Sequence, residues 1–272
     1  MKIKSRQLDA VWSKLFYILL IIGTFALACV IVFTVKGPRD GILKAKTDTP
    51  KKPENNRITD SSVTLKESAD YGQSYIDSII FLGDYSTSKM LGLELLSGGA
   101  SSYQIWTGES GDMSLDSNLS NISVVFPDNG DVVKLSDALL RRSPKYLVIT
   151  LGINNGVSYC DKEKFSLYYQ SLIDLIKEAS PNTVVMIQSI LPISKKASRK
   201  NPAISNERID RANEWLVELC ESNNLKFIYS ADALKDAKGN LLAEYASDDG
   251  LYMNAEGYKQ MLMYIRLHGY RE

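Results

Sequence analysis

Two apolar patterns alternate along most of the chain. Ile79-Ile80-Phe81-Leu82 is a short unbroken run closed by Gly83-Asp84, and Lys145 to Leu151 is a second, ending in Gly152-Ile153-Asn154-Asn155-Gly156. Thr183 to Ile190 is a third, ending at Pro192, and Leu225 to Tyr229 a shorter fourth. Runs of this length between turn residues predict buried strands. The intervening segments carry helical spacing instead. Phe165, Leu172, Ile176 and Ala179 share one face before Pro181, and Ile209, Ala212, Leu216 and Leu219 do so in a segment that Ser205 or Asn206 would cap. A closing helix starting at Asn254 carries Tyr258, Met261, Leu262 and Ile265. After the first strand, Ser86, Thr87 and Ser88 are candidate caps for a helix over Lys89 to Leu96, with Tyr85 at the turn. Strands alternating with helices predict an α/β fold, a three-layer α/β/α sandwich whose mostly parallel sheet is covered on both faces by right-handed crossovers.

The amino-terminal part departs from this pattern. Leu15 to Val35 (LFYILLIIGTFALACVIVFTV) has no charged residue and lies between Lys14 and Lys36, matching the roughly 20 apolar residues that a membrane-spanning helix needs. The run stays apolar through Val30-Ile31-Val32-Phe33, so it reads as a retained signal anchor rather than a cleaved signal peptide. Ala26-Leu27-Ala28-Cys29 leaves a lipoprotein cleavage box as the alternative. Basic residues stand on both sides, Lys2, Lys4, Arg6 and Lys14 before the span and Lys36, Arg39, Lys44, Lys46, Lys51 and Lys52 after it, so the count does not fix orientation. A tail of residues 1–14 inside and the large domain outside is the arrangement expected, because long domains translocate largely regardless of charge. Residues 36–72 are polar and Lys-rich with few large apolar side chains, and read as a disordered linker to a folded domain over 73–272.

Charge narrows the range of partners. Lysines and arginines number 32 against 32 acids, so nothing in the whole chain points to nucleic acid, and electrostatic partners belong to local patches. Cys29, Cys160 and Cys220 form neither a disulfide framework nor a metal-binding spacing, and no cofactor motif is present. Lys195, Lys196, Arg199 and Lys200 read as a basic, solvated loop after Pro192, with an anionic ligand as the alternative.

Three short blocks fall where an open α/β sheet places its sites, beyond the carboxyl ends of strands and at helix starts. They are Gly83-Asp84-Tyr85, Gly152-Ile153-Asn154-Asn155, and Asp248-Asp249-Gly250-Leu251-Tyr252-Met253-Asn254. In order and spacing they resemble the SGNH/GDSL hydrolase superfamily over about Ser74 to Leu267. Gln188-Ser189-Ile190-Leu191-Pro192, Asn206-Glu207-Arg208-Ile209-Asp210 and Asn254-Ala255-Glu256-Gly257-Tyr258 are similar to its bacterial branch. The resemblance implies an SGNH hydrolase-like, flavodoxin-like fold. It also implies a serine nucleophile after Gly-Asp, an oxyanion hole in which a glycine and the asparagine of a G-x-N-D block join the nucleophile's own backbone amide, and an Asp-x-x-His that activates the serine.

Carried onto this chain, Tyr85 stands at the nucleophile position, Asn154 at the oxyanion asparagine, Gly111 (with Gly108 as alternative) at the oxyanion glycine, Asp249 at the triad aspartate and Tyr252 at the histidine. Asn155 stands where the family often has Asp. Two triad members are therefore replaced, and the one histidine, His268, lies beyond the last block in the closing helix, where it reads as a helix-end residue. Losing a triad member costs orders of magnitude in rate. Two tyrosines beside Asp249 suggest a hydrogen-bonded plug, and Trp106 reads as a strand-edge core aromatic with sugar stacking as its alternative.

The apolar run and the resemblance, with its two replaced triad positions, together lead to the expectation of a membrane-anchored, extracytoplasmic, degenerate esterase without cofactor. Its expected partner is a cell-envelope glycan or acylated carbohydrate, in a binding, scaffolding or regulatory role. The alternative is an active carbohydrate O-acyl esterase or acyltransferase using Ser86 or Tyr85 as an atypical nucleophile.

Overall fold

Residues 56–118 and 121–271 are described by the structure, a computed structural model. The apolar run 15–35, the tail before it and the first part of the expected linker lie outside the described residues. Among the described residues no helix is long and apolar enough to cross a membrane.

The chain runs α1 (Asn56–Asp60), α2 (Gln73–Asp77), β1 (Ile79–Gly83), α3 (Tyr85–Gly92), β2 (Ile105–Trp106), β3 (Ser123–Val125), β4 (Val132–Lys134) and α4 (Leu135–Arg142). It continues through β5 (Tyr146–Thr150), α5 (Gly156–Tyr159), α6 (Lys162–Ala179), β6 (Val184–Gln188), α7 (Lys195–Lys200), α8 (Asn206–Asn223), β7 (Lys226–Ile228) and α9 (Ala255–Leu267). The central sheet has five strands in the order β2-β1-β5-β6-β7, and every neighbouring pair is parallel. Strands β3 and β4 form a separate antiparallel hairpin.

The four apolar runs become β1, β5, β6 and β7 because each can be buried on both faces. Ile80, Leu82, Leu147, Ile149, Ile187 and Phe227 point to one side, against the apolar stripes of α4, α6 and α8. Ile79, Phe81, Tyr146, Val148, Met186 and Ile228 point to the other, against α2, α3 and α9. The predicted helix faces bury as expected, with Phe165, Leu172 and Ile176 on α6, Ile209, Ala212, Leu216 and Leu219 on α8, and Tyr258, Met261, Leu262 and Ile265 on α9.

Three local expectations change. Helix α3 begins at Tyr85 and is capped by Asp84, whose carboxyl oxygen accepts from the Ser86 amide at 3.0 Å, rather than by Ser86 to Ser88. The basic segment is the short helix α7 rather than a loop, because Ser194 caps it by accepting from the Ala197 amide at 3.1 Å. The folded unit also reaches further upstream than Gln73, into the expected linker. Ile58 is buried in the core, and Thr64 bridges Phe227 on the outer edge of β7, with the Leu65 amide donating to the Phe227 carbonyl at 2.9 Å. A few apolar residues suffice there because they complete an existing sheet edge and core.

Counting only the parallel strands, the order is 2-1-3-4-5, which reverses direction between β1 and β5. Ligand crevices in such sheets open at that point, outside the carboxyl ends of the strands. Gly83 pairs with Thr150 in the final register step of β1 and β5, so the segments carrying Asp84-Tyr85 and Gly152-Asn155 leave the sheet side by side.

Candidate active site

The end of β1 leaves no room for a side chain. A Cβ on Gly83 would lie 2.0 Å from Thr87 Oγ1 and 2.6 Å from the Thr150 carbonyl, so glycine is what lets α3 fold back onto the strand ends. Asp84 follows, 1% exposed, with its carboxyl tied to the start of α3. Burial raises its pKa to about 7 against the opposing pull of the Ser86 amide, and the nearby Asp112 charge adds to the rise.

Tyr85 is the first residue of α3, and its ring is 38% exposed at the mouth of the site. It meets the Tyr252 ring edge-on at 5.2 Å between centroids. The Lys89 ammonium lies 4.8 Å from the Tyr85 centroid and 5.7 Å from that of Tyr252, so one cation covers both rings. The structure therefore brings Tyr85 and Tyr252 together. The contact between them is aromatic and cation-capped, however, and not the shared carboxylate bond expected of a plug on Asp249. Tyr252 is held to about pKa 12 by burial and by the surrounding charges of Asp84, Asp249 and Asp112, so its phenol stays protonated.

Asp249 is occupied within its own turn. Its Oδ1 accepts from Ser247 Oγ at 2.8 Å, the Leu251 amide at 2.7 Å and the Tyr252 amide at 3.3 Å. Partial burial alone would raise its pKa, but these bonds and the Lys89 charge outweigh that and hold the carboxylate below its ordinary range. Oδ2 makes no hydrogen bond to another described residue.

The two oxyanion positions are likewise engaged. Gly111 does pack against the start of α3, where its Cβ would sit 2.9 Å from Ser88 Oγ and 3.7 Å from Tyr85 Cδ2. Its amide, however, donates to the Gly108 carbonyl at 2.8 Å, closing a tight turn at φ +73°. The Asn154 side-chain amide donates to the Asp112 carboxylate. Gly111 and Asn154 thus both have their donors committed elsewhere.

Sequence reasoning gave no role to four residues of this site: Asp84, Lys89, Asp112 and Tyr258. Asp84 and Asp112 each adjoin a residue that it did single out, Tyr85 and Gly111, and an acid beside a candidate site residue is the available signal. Tyr258 and Lys89 are brought in by α9 and α3 packing, which no local pattern reports. The Tyr258 hydroxyl donates to the Ser86 carbonyl at 2.7 Å and lies 3.4 Å from Ser86 Oγ. Ser86 therefore faces a phenol, and among the described residues its hydroxyl has no carboxylate or imidazole in hydrogen-bond contact. His268 caps the end of α9, stacked on Tyr264 at 3.7 Å, with burial lowering its pKa. Trp106 is fully buried against Phe126, which closes it to a sugar.

Two buried clips shape the rim. The Asn213 side chain accepts from the Ile190 amide at 2.8 Å and donates to its carbonyl at 3.1 Å, and Asn206 does the same for Ile193 at 2.9 and 2.7 Å. The loop leaving β6 is thereby fixed beside the site. Behind Tyr252 a cavity of about 20 Å³, walled in part by Asp84, Ser86 and Thr150, has room for a single water molecule and none for an acyl group. Open recesses of about 410 and 480 Å³ lie further out, beside Asn154 and beyond Tyr159.

No described group is placed to take a proton from a hydroxyl nucleophile, while the amides and hydroxyls of the outer recess suit a hydroxyl-rich ligand. Among the described residues no cluster of His, Cys, Asp and Glu could hold a metal ion.

Residues 77–260 match the model of the GDSL-like lipase/acylhydrolase family. No curated protein matches the chain. Among solved structures, the chain is similar to an acetyl xylan esterase with 19% identity and a TM-score of 0.47, covering 69% of this chain and 96% of that one. A GDSL-like lipase from Bacteroides thetaiotaomicron has 16% identity, TM-score 0.45, and coverage of 73% and 90%. A carbohydrate esterase family 3 protein from Talaromyces cellulolyticus has 14% identity, TM-score 0.46, and coverage of 69% and 93%.

Proposed function

The chain belongs to the GDSL-like lipase/acylhydrolase family, and from that premise we propose that it binds, rather than hydrolyses, an acylated glycan of the cell envelope. In this reading the domain is held outside the cytoplasm by a membrane anchor over residues 15–35 and acts by binding, scaffolding or regulating envelope carbohydrate metabolism. Tyr85, Gly111, Asn154, Asp249 and Tyr252 are its inherited site positions.

One observation carries the reading: several of the groups that acyl transfer would call on are held by other partners. Tyr85 is packed against Tyr252 under Lys89, the Asn154 amide is bound to Asp112, the Gly111 amide to Gly108, and Asp249 Oδ1 to its own turn. An oxyanion needs donors aimed at it before it forms, and a serine or phenol needs a base within hydrogen-bond reach. Here the Gly111 and Asn154 donors are aimed at other partners, and Ser86 faces a phenol rather than a base. The polar outer recess, lined by Asn154, Asn155, Ser158 and Asn201, supports a ligand rich in hydroxyl groups.

The test is hydrolysis of p-nitrophenyl acetate and of an acetylated oligosaccharide by the full chain. Release no faster than that of the Asp249→Ala variant is expected, and release that is lost on Asp249→Ala overturns the proposal.

A further inference from the structure

We propose that the surface on either side of Tyr159 is an anionic-glycan groove, with the Tyr159 ring as a stacking platform and Arg208 and Arg211 as the carboxylate-recognising end. The proposal rests on the binding reading above and names the ligand class of that site.

Tyr159 is 78% exposed, an unusual place for a large ring. It ends α5, which leaves the site after Asn155, and Asn155 has a left-handed backbone at φ +62°. That conformation disfavours most side chains, asparagine being among the more tolerant. Ser158 and Tyr159 belong to both outer recesses. On one side lies the recess of about 410 Å³ that reaches Asp112 and Asn154. On the other lies the recess of about 480 Å³ with Lys162, Arg208, Arg211 and Trp215 in its walls. The two form one path past the exposed ring, each within the size range of small-ligand sites.

The chemistry of the far end is directional. Arg208 donates through Nε and Nη2 to the Val157 carbonyl at 3.1 and 2.9 Å, which fixes its guanidinium plane. Among the described residues Arg211 pairs with Glu207 at 3.8 Å, both side chains being exposed, a pairing worth little in water. Trp215 packs edge-on against Phe165 at 5.4 Å, so the wall does not yield. The acids nearby point an oxygen at neutral amides while keeping their charge: Asp161 accepts from the Lys164 amide at 2.9 Å, Asp116 from the Asn118 amide at 2.8 Å, and Asp112 from Asn154. Lys162 is paired with Glu218. At the opposite rim, α7 brings Lys195, Lys196, Arg199 and Lys200 up to Asn201, and none of the four forms an ion pair among the described residues. Guanidinium groups match carboxylates in a planar, bidentate way, and an aromatic face takes the apolar face of a sugar ring. A chain of sugars bearing carboxylates satisfies both features at once.

The experiment is calorimetric titration of the full chain, in detergent micelles, with tetragalacturonate and with neutral maltotetraose. Tetragalacturonate is expected to bind at least tenfold more tightly, with an affinity that falls as salt rises. Tyr159→Ala is expected to weaken both sugars about tenfold, and Arg211→Ala to weaken tetragalacturonate alone by about tenfold. Both side chains are exposed, so neither change threatens folding. Wild-type affinity in both variants overturns the groove, as does the absence of binding by either sugar. Loss of binding in Asn154→Ala with Tyr159→Ala unaffected also overturns it, while leaving the binding reading intact. Ester hydrolysis by wild type alongside the expected groove results overturns the binding reading and leaves the groove.

Discussion

If committed donors and missing triad groups silence this site, restoring the groups alone should achieve little until the donors are freed. The double change Tyr85→Ser, Tyr252→His supplies a hydroxyl and an imidazole where two rings now meet at 5.2 Å, and Asp249 Oδ2 remains available to orient the imidazole. Asn154, however, still donates to the Asp112 carboxylate, and hydrogen bonds to a charged group contribute about 1.5–3 kcal/mol. A forming oxyanion would have to win that amide back. Withholding one oxyanion donor typically costs about 10²–10³ in kcat. The triple variant with Asp112→Ala is therefore expected to hydrolyse p-nitrophenyl acetate roughly 10²-fold faster than the double variant, the Gly111 turn being common to both. Initial rates of the two variants and of wild type, with circular dichroism confirming folding, make the comparison. Equal rates in the double and triple variants refute the reasoning about Asn154, and a wild type as fast as either refutes the reasoning about the whole site.

Three further outcomes follow from the geometry. Asp84 has its pKa raised from 3.8 to about 7, chiefly by burial, so its contribution to stability is fully present below the unfolded value and is lost as pH rises through the folded one. The difference corresponds to about 4 kcal/mol, and urea midpoints should fall between about pH 4 and pH 7 in wild type and stay level in Asp84→Asn, which keeps an oxygen for the Ser86 amide. Asn213→Leu leaves the Ile190 amide and carbonyl unpaired in the core, at about 1–3 kcal/mol each, so a midpoint drop equivalent to about 2–6 kcal/mol is expected and an unchanged midpoint contradicts it. Gly83→Ala forces a Cβ to 2.0 Å from Thr87 Oγ1 and 2.6 Å from the Thr150 carbonyl, and thermal melts should show about 3 kcal/mol of destabilisation.

Much of this was legible in the sequence, for identifiable reasons. Short unbroken apolar runs rich in β-branched residues and bounded by turn residues read as strands buried on both faces, so β1, β5, β6 and β7 and the stripes of α6, α8 and α9 could be read directly. The positions Tyr85, Asn154 and Asp249 could be placed by motif, because strand ends and helix starts fix their neighbourhoods. Partnerships could not be read in the same way. Whether Asn154 faces a ligand or Asp112 depends on how the turn from Gly108 to Asp112 approaches Gly152-Asn155, a tertiary fact with no local signature. Lys89 lying over two rings depends on the rotation of α3, which the Asp84 cap sets one turn earlier than Ser86 to Ser88 would have. The segment around Ile58 and Thr64 was missed because its composition is that of a linker, and only the exposed edge of β7 gives it a place to fold.

The most direct test of the central claim is to treat the full wild-type chain with a fluorophosphonate and weigh it intact. A site whose hydroxyls have no base and whose oxyanion donors are committed should gain no phosphonyl adduct at concentrations that fully label an active serine hydrolase. A stoichiometric adduct mapping to Ser86 or Tyr85 would contradict the account and show that an activated nucleophile is present.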